Sequence, residues 1–112
     1  MTDTKTTTKT TTKTTTKTTT NTTTNIINQL DLQFNKSIKD IKEIKELSNV
    51  NKLKLYGYYK QATVGTINIS KPSFWDRKGV AKWNAWDYCK DMSKNDAKQN
   101  YISFVNLLLE YS

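Results

Sequence analysis

The chain has 112 residues, 18 Lys and Arg against 10 Asp and Glu, no His, one Cys and 35% hydrophobic residues. That length admits one domain at most, and a chain without His whose single thiol is Cys89 excludes a Cys/His zinc cluster, a His-dependent triad and an internal disulfide. The net charge of +8 points to an anionic partner.

Residues 1–25 stand apart, holding 17 Thr, four Lys and one apolar residue, Met1. Lysines at 5, 9, 13 and 17 and asparagines at 21 and 25 repeat every four positions. Thr is a poor helix former and no face of such a helix would have anything to bury, so the expectation is a disordered Thr/Lys-rich spacer. Of the apolar residues, 38 fall in 26–112, which also has 14 basic and nine acidic residues. A core is possible only there. No apolar run approaches the roughly 20 residues needed to span a bilayer, and the start lacks the apolar stretch of a secretory signal. The expected setting is reducing and cytoplasmic.

After Asn25 the apolar residues Ile27, Leu30, Phe34, Ile38, Ile41 and Ile44 recur every three or four positions, which predicts an amphipathic helix ending near Ser48-Asn49. A second helix is expected from Leu53 to about Val64, closed by Gly65. Residues 66–78 include Pro72 and keep no helical period, so they read as a loop long enough to suggest a functional role. Beyond Gly79, the spacing of Val80, Trp83, Trp86 and either Tyr88 or Cys89 predicts a third helix ending near Asp91. Ser93-Lys94-Asn95-Asp96 has the form of a capping box. Ala97, Tyr101, Ile102, Val105, Leu108 and Leu109 then share a face of a fourth helix, and no strand is needed.

Catalytic chemistry finds no constellation. Gly57, Gly65 and Gly79 are too scattered for a phosphate-cradling loop, Asp76, Asp87 and Asp96 read as caps or surface groups, and Cys89 reads as a packing residue. The informative cluster is aromatic and basic: Tyr56, Tyr58, Tyr59 and Lys60, then Lys78, Lys82, Trp83 and Trp86, and finally Tyr101. Phosphates need cations and hydroxyl donors, and a base needs a flat ring, so this mixture suits a phosphorylated, partly aromatic ligand. The bland reading, in which aromatics pack and lysines solvate, stays open on composition alone.

Two blocks, Leu55-Tyr-Gly-Tyr-Tyr-Lys-Gln-Ala-Thr-Val-Gly65 and Lys78-Gly-Val-Ala-Lys-Trp-Asn-Ala-Trp86, with Pro72 between them, closely resemble the acyl-CoA-binding protein family. Ser93 to Ala97 followed by Tyr101-Ile102 looks like that family's fourth-helix opening, and the resemblance covers about 30–112. It implies an all-α fold, an up-down-down-up four-helix bundle, spanning 26–112 after the tail of 1–25. The implied function is non-catalytic binding, buffering and transport of long-chain fatty acyl-CoA, by a monomer making at most transient membrane contact, without cofactor or metal.

By position, the resemblance places Tyr56, Tyr59, Lys60, Lys82 and Tyr101 at the CoA head, Tyr56 near the adenine and Lys60 near the 3′-phosphate. Phe34, Ile38, Ile41 and Ile44 match first-helix positions that pack against Tyr101, Ile102, Val105 and Leu108. Three positions depart from the pattern. Val80 stands where a Lys is usual, Asp91 where a Gly is common, and Ser48 near a frequent Pro. A basic nucleic-acid-binding helical module is the competing reading; it accounts for the charge and the aromatics but not for the paired blocks, so no nucleic-acid partner is expected.

Overall fold

The computed structural model describes residues 29–111. The Thr/Lys tail, Ile27 and the expected domain boundary at 25/26 lie outside them. The described residues fall into two units, 29–32 and 33–111. Of the first, the described residues 29–32 are helical; the packing that follows belongs to the second.

Helix α1 covers 29–40 and tightens into a 3-10 turn, Ile41–Glu43. The helix was expected to continue to Ser48, but Ile44 is already extended, at φ −84° and ψ 113°, and leaves the helical stripe. The sequence between gives a physical reason. Residues 44–48 are non-helical, Leu47 among them packs on the core, and Ser48 caps the next helix.

Helix α2 (Asn49–Thr63) begins four residues before the expected Leu53, because the Ser48 side chain accepts from the Asn51 N–H at 3.1 Å. That bond satisfies one of the unpaired amides of the first turn. At the other end the Lys60 carbonyl accepts from both Val64 and Gly65, and Gly65 takes φ +102°, a conformation open to glycine and strained for a side chain bearing Cβ. Helix α3 (Arg77–Asp87) starts two residues before Gly79 because Asp76 caps it, accepting from the Gly79 N–H at 3.0 Å. Helix α4 (Lys94–Glu110) opens on Ser93, which accepts from the Asp96 N–H at 2.9 Å as the capping-box pattern predicts.

The fold is the all-α four-helix bundle expected, with no strand among the described residues. Helix α2 is its hub and packs against both α3 and α4. Buried Phe34, Leu55, Ala62, Ala97, Tyr101 and Val105 form the core, with Ile38, Ile41, Ile102, Leu108 and Leu109 against it. The fourth-helix stripe is thus as spaced in the sequence. On α3 it is Cys89, in the turn just after the helix, that turns inward, while Tyr88 is 86% exposed. Among the described residues no helix is long and apolar enough to cross a membrane.

Candidate functional site

The five residues singled out in the sequence come from three helices. Tyr56, Tyr59 and Lys60 share one face of α2 by their spacing of three and four, Lys82 comes from α3, and Tyr101 from α4. The structure joins them in pairs. The Lys82 ammonium lies 5.6 Å from the centre of the Tyr56 ring, bridging α3 to α2. Tyr59 and Tyr101 have ring centres 6.4 Å apart, tilted by 55°. Phe34 completes this second group, stacked on Tyr59 at 6.2 Å and edge-on to Tyr101 at 5.1 Å.

Lys60 has a partner the sequence left without a role. Its ammonium stands 4.8 Å from the centre of the Trp86 ring, a cation–π contact across the α2–α3 seam. Trp86 is buried and its indole Nε1 donates to the Gly65 carbonyl at 2.7 Å. The ring is therefore held by that bond, and the Lys60 ammonium rests against it.

Two cations consequently meet rings on the same α2–α3 face, with the hydroxyls of Tyr56 and Tyr59 on the same helix as Lys60. Such a face can hold phosphate through its ammonium groups and a flat base through its rings. Tyr59 is 41% exposed whereas Tyr101 is 5% exposed. Tyr101 thus sits behind Tyr59 and supports it. Burial, and secondarily the neighbouring Tyr59, raise the Tyr101 phenol above its ordinary value.

The seam depends on Gly57. A Cβ there would overlap the Ala85 carbonyl oxygen and stand 3.4 Å from the Cys89 sulfur, so only glycine lets α2 and α3 approach this closely. Sequence reading weighed Gly57 only as part of a phosphate loop. An isolated Gly inside a helical pattern, facing the helix that carries the second block, was the available signal. Gln61 was missed as well. Buried at 1% exposure, it donates from Nε2 to the Met92 carbonyl at 2.8 Å and to the Thr66 hydroxyl at 3.3 Å, and Thr66 donates to the Lys90 carbonyl at 2.8 Å. This network ties the end of α2 to the α3–α4 turn. Cys89 is buried, as expected of a packing thiol, and burial pushes its pKa up.

A separate groove of about 540 Å³ lies along the outer side of α3, lined by Lys71, Pro72, Phe74, Arg77, Val80, Ala81 and Asn84. None of the five candidate residues borders it.

Residues 31–105 match the family model for acyl CoA binding protein, well over half of the chain. The chain belongs to the acyl-CoA-binding protein family. Zebrafish acyl-CoA-binding domain-containing protein 5A is 50% identical over 58 residues, 52% of this chain, and rice (subsp. japonica) acyl-CoA-binding domain-containing protein 1 is 49% identical over 63 residues, 56% of this chain. The match spans 12% of the zebrafish protein and 69% of the rice one. The crystal structure of Oryza sativa acyl-CoA-binding protein 2 superposes with a TM-score of 0.72 at 38% identity, covering 74% of this chain and 91% of that one. The bundle of this family member is thus seen both in its sequence and in its fold.

Proposed function

We propose that this chain is a non-catalytic carrier that binds, buffers and transports long-chain fatty acyl-CoA in the cytoplasm, as a monomer with at most transient membrane contact. The observation that carries the reading is the pairing of Lys60 with Trp86 and of Lys82 with Tyr56 on one seam, in a member of the acyl-CoA-binding protein family. Tyr56, Tyr59, Lys60 and Lys82 receive the CoA head, with Tyr56 toward the adenine, Lys60 toward the 3′-phosphate and Tyr101 holding Tyr59 in place. Binding needs no bond to be made or broken. The functional domain is 26–112, and 1–25 act as a spacer.

The energetics divide between the two ends of such a ligand. Cations and rings fix the charged head, a contribution that weakens as salt is added. Each methylene buried by the alkyl chain contributes about 0.8 kcal/mol, so affinity rises with chain length until the chain is covered. Calorimetry with hexadecanoyl-CoA, octanoyl-CoA and a single-stranded oligonucleotide tests both ends. The hexadecanoyl ester is expected to bind more than about tenfold tighter than the octanoyl ester, which a few extra buried methylenes suffice to give. Equal affinity for the two esters would remove the alkyl site, and tighter binding of the oligonucleotide would favour a nucleic-acid module.

A further inference from the structure

Two of the most exposed apolar side chains stand next to each other on the α2–α3 loop. Phe74 is 74% and Trp75 is 81% exposed, and their rings lie 4.5 Å apart. They pack on each other and leave their outer faces to water. The stretch from Val64 to Trp86 has Lys71, Arg77, Lys78 and Lys82 and a single acid, Asp76, and Lys71, Arg77 and Lys78 are exposed beside the aromatic pair.

The loop that presents the pair is held at its base. The Trp83 indole donates to the Ile69 carbonyl at 2.8 Å, Lys71 lies 5.6 Å from the centre of the Trp83 ring, and the Trp75 and Asp76 amides both bond Ser73, at its hydroxyl and its carbonyl. Exposing two large rings on an ordered turn has no benefit for the fold. Flanked in sequence by exposed Lys71, Arg77 and Lys78, with Asp76 the one acid among them, they match an interface that is apolar at one depth and anionic at the next.

From this juxtaposition we infer that Phe74 and Trp75, with Lys71, Arg77 and Lys78, form a surface that docks on anionic phospholipid bilayers. Trp settles at the depth of lipid headgroups, and the basic side chains meet the phosphates, each contributing roughly fivefold in affinity. A protein partner would use the same rings as anchors, but lysines are depleted from such interfaces. The flanking charge therefore favours lipid. Two rings alone give only marginal insertion, so attachment needs both the rings and the anionic surface and is reversible. The inference deepens the transient membrane contact proposed above by giving it residues.

The test uses the full chain without acyl-CoA and sedimentation with vesicles of phosphatidylcholine, pure or containing about 30% phosphatidylserine. Binding is expected to the mixed vesicles, at least tenfold weaker to the pure ones, and reduced at least tenfold by Trp75→Ala. Arg77→Glu, a change that suits the first turn of a helix, is expected to weaken binding several-fold through charge alone. Both variants should keep wild-type helical circular dichroism and hexadecanoyl-CoA affinity, so the vesicle result stands apart from the fate of the acyl-CoA reading. Binding unaffected by either variant, or indifferent to phosphatidylserine, would overturn the inference. So would a lipid-free dimer at micromolar concentration that Trp75→Ala abolishes, since the pair would then be a contact between copies.

Discussion

Lys60 and Tyr101 are both tied into the fold, and in the proposed complex Lys60 would also meet the ligand while Tyr101 backs Tyr59. The Lys60 ammonium over Trp86 is positioned before any ligand arrives. Moving it onto a phosphate forfeits a cation–π contact of about 0.5–1 kcal/mol at a partly exposed site in exchange for a stronger charge-assisted bond. Tyr101 is tied to the core, and its raised phenol carries a consequence for stability. The unfolded phenol ionises near pH 10, while the buried one stays neutral to higher pH. The folded state then binds more protons, so this share of stability is intact below pH of about 10 and is lost as pH rises through the folded value. Urea unfolding at pH of about 9 and about 11 should show stability falling, with a smaller fall in Tyr101→Phe. Tyr58 and Cys89, also raised by burial, account for part of the remaining decline. Equal falls in the two proteins would show that Tyr101 ionises as freely folded as unfolded.

At the scale of elements, the caps and stripes could be read from the chain and the contacts across the seam could not. Ser93 with Asp96, Gly65 after α2, and the Ala97, Tyr101 and Val105 stripe behave as local pattern predicts, because each depends on neighbours within a turn or two. The end of α1 was misjudged because Ile44 keeps the helical spacing, yet the path to Leu47 and Ser48 requires extended backbone there. Helix α2 hides its packing further. It buries Gly57 and Gln61 while leaving Val50 73% exposed, so hydrophobicity alone misses which face is inward.

Gly57 gives the sharpest test at this scale. In an ordinary helix Gly→Ala is stabilising by about 1 kcal/mol. Here the added methyl would meet the Ala85 carbonyl and drive α2 from α3, and overpacking of this kind costs about 1–3 kcal/mol. Gly57→Ala should lower the melting temperature by several degrees and weaken hexadecanoyl-CoA binding, since Lys60 and Lys82 approach from opposite sides of that seam. A raised melting temperature would mean that the helices are not in close contact.

For the molecule as a whole, the fold and the family were visible in two sequence blocks and the fourth-helix opening, and the candidate residues came with them. Their pairing was not visible, because it depends on which rings the lysines reach across the seam. Charge and apolar content are partitioned between the Thr/Lys-rich stretch and the rest. Deleting residues 1–25 should leave both unfolding free energy and hexadecanoyl-CoA affinity within about 1 kcal/mol of the full chain. A larger loss in either would give that stretch a part in the domain.

Lys60 is proposed to receive the 3′-phosphate of an acyl-CoA head, and a calorimetric cycle isolates that contact. Hexadecanoyl-CoA and its dephospho analogue, which lacks that phosphate, are each titrated into wild type and Lys60→Ala. Removing the lysine should weaken binding of the complete ester by about 1.5–3 kcal/mol, the scale of a charge-assisted hydrogen bond, with unfolding changed by no more than about 1 kcal/mol because only the Trp86 contact is lost. Removing the phosphate should then cost wild type a similar amount and the variant little, since both changes delete one interaction. Lys82 leaves the variant a small residual sensitivity. Losses that add across the cycle would place Lys60 away from the phosphate.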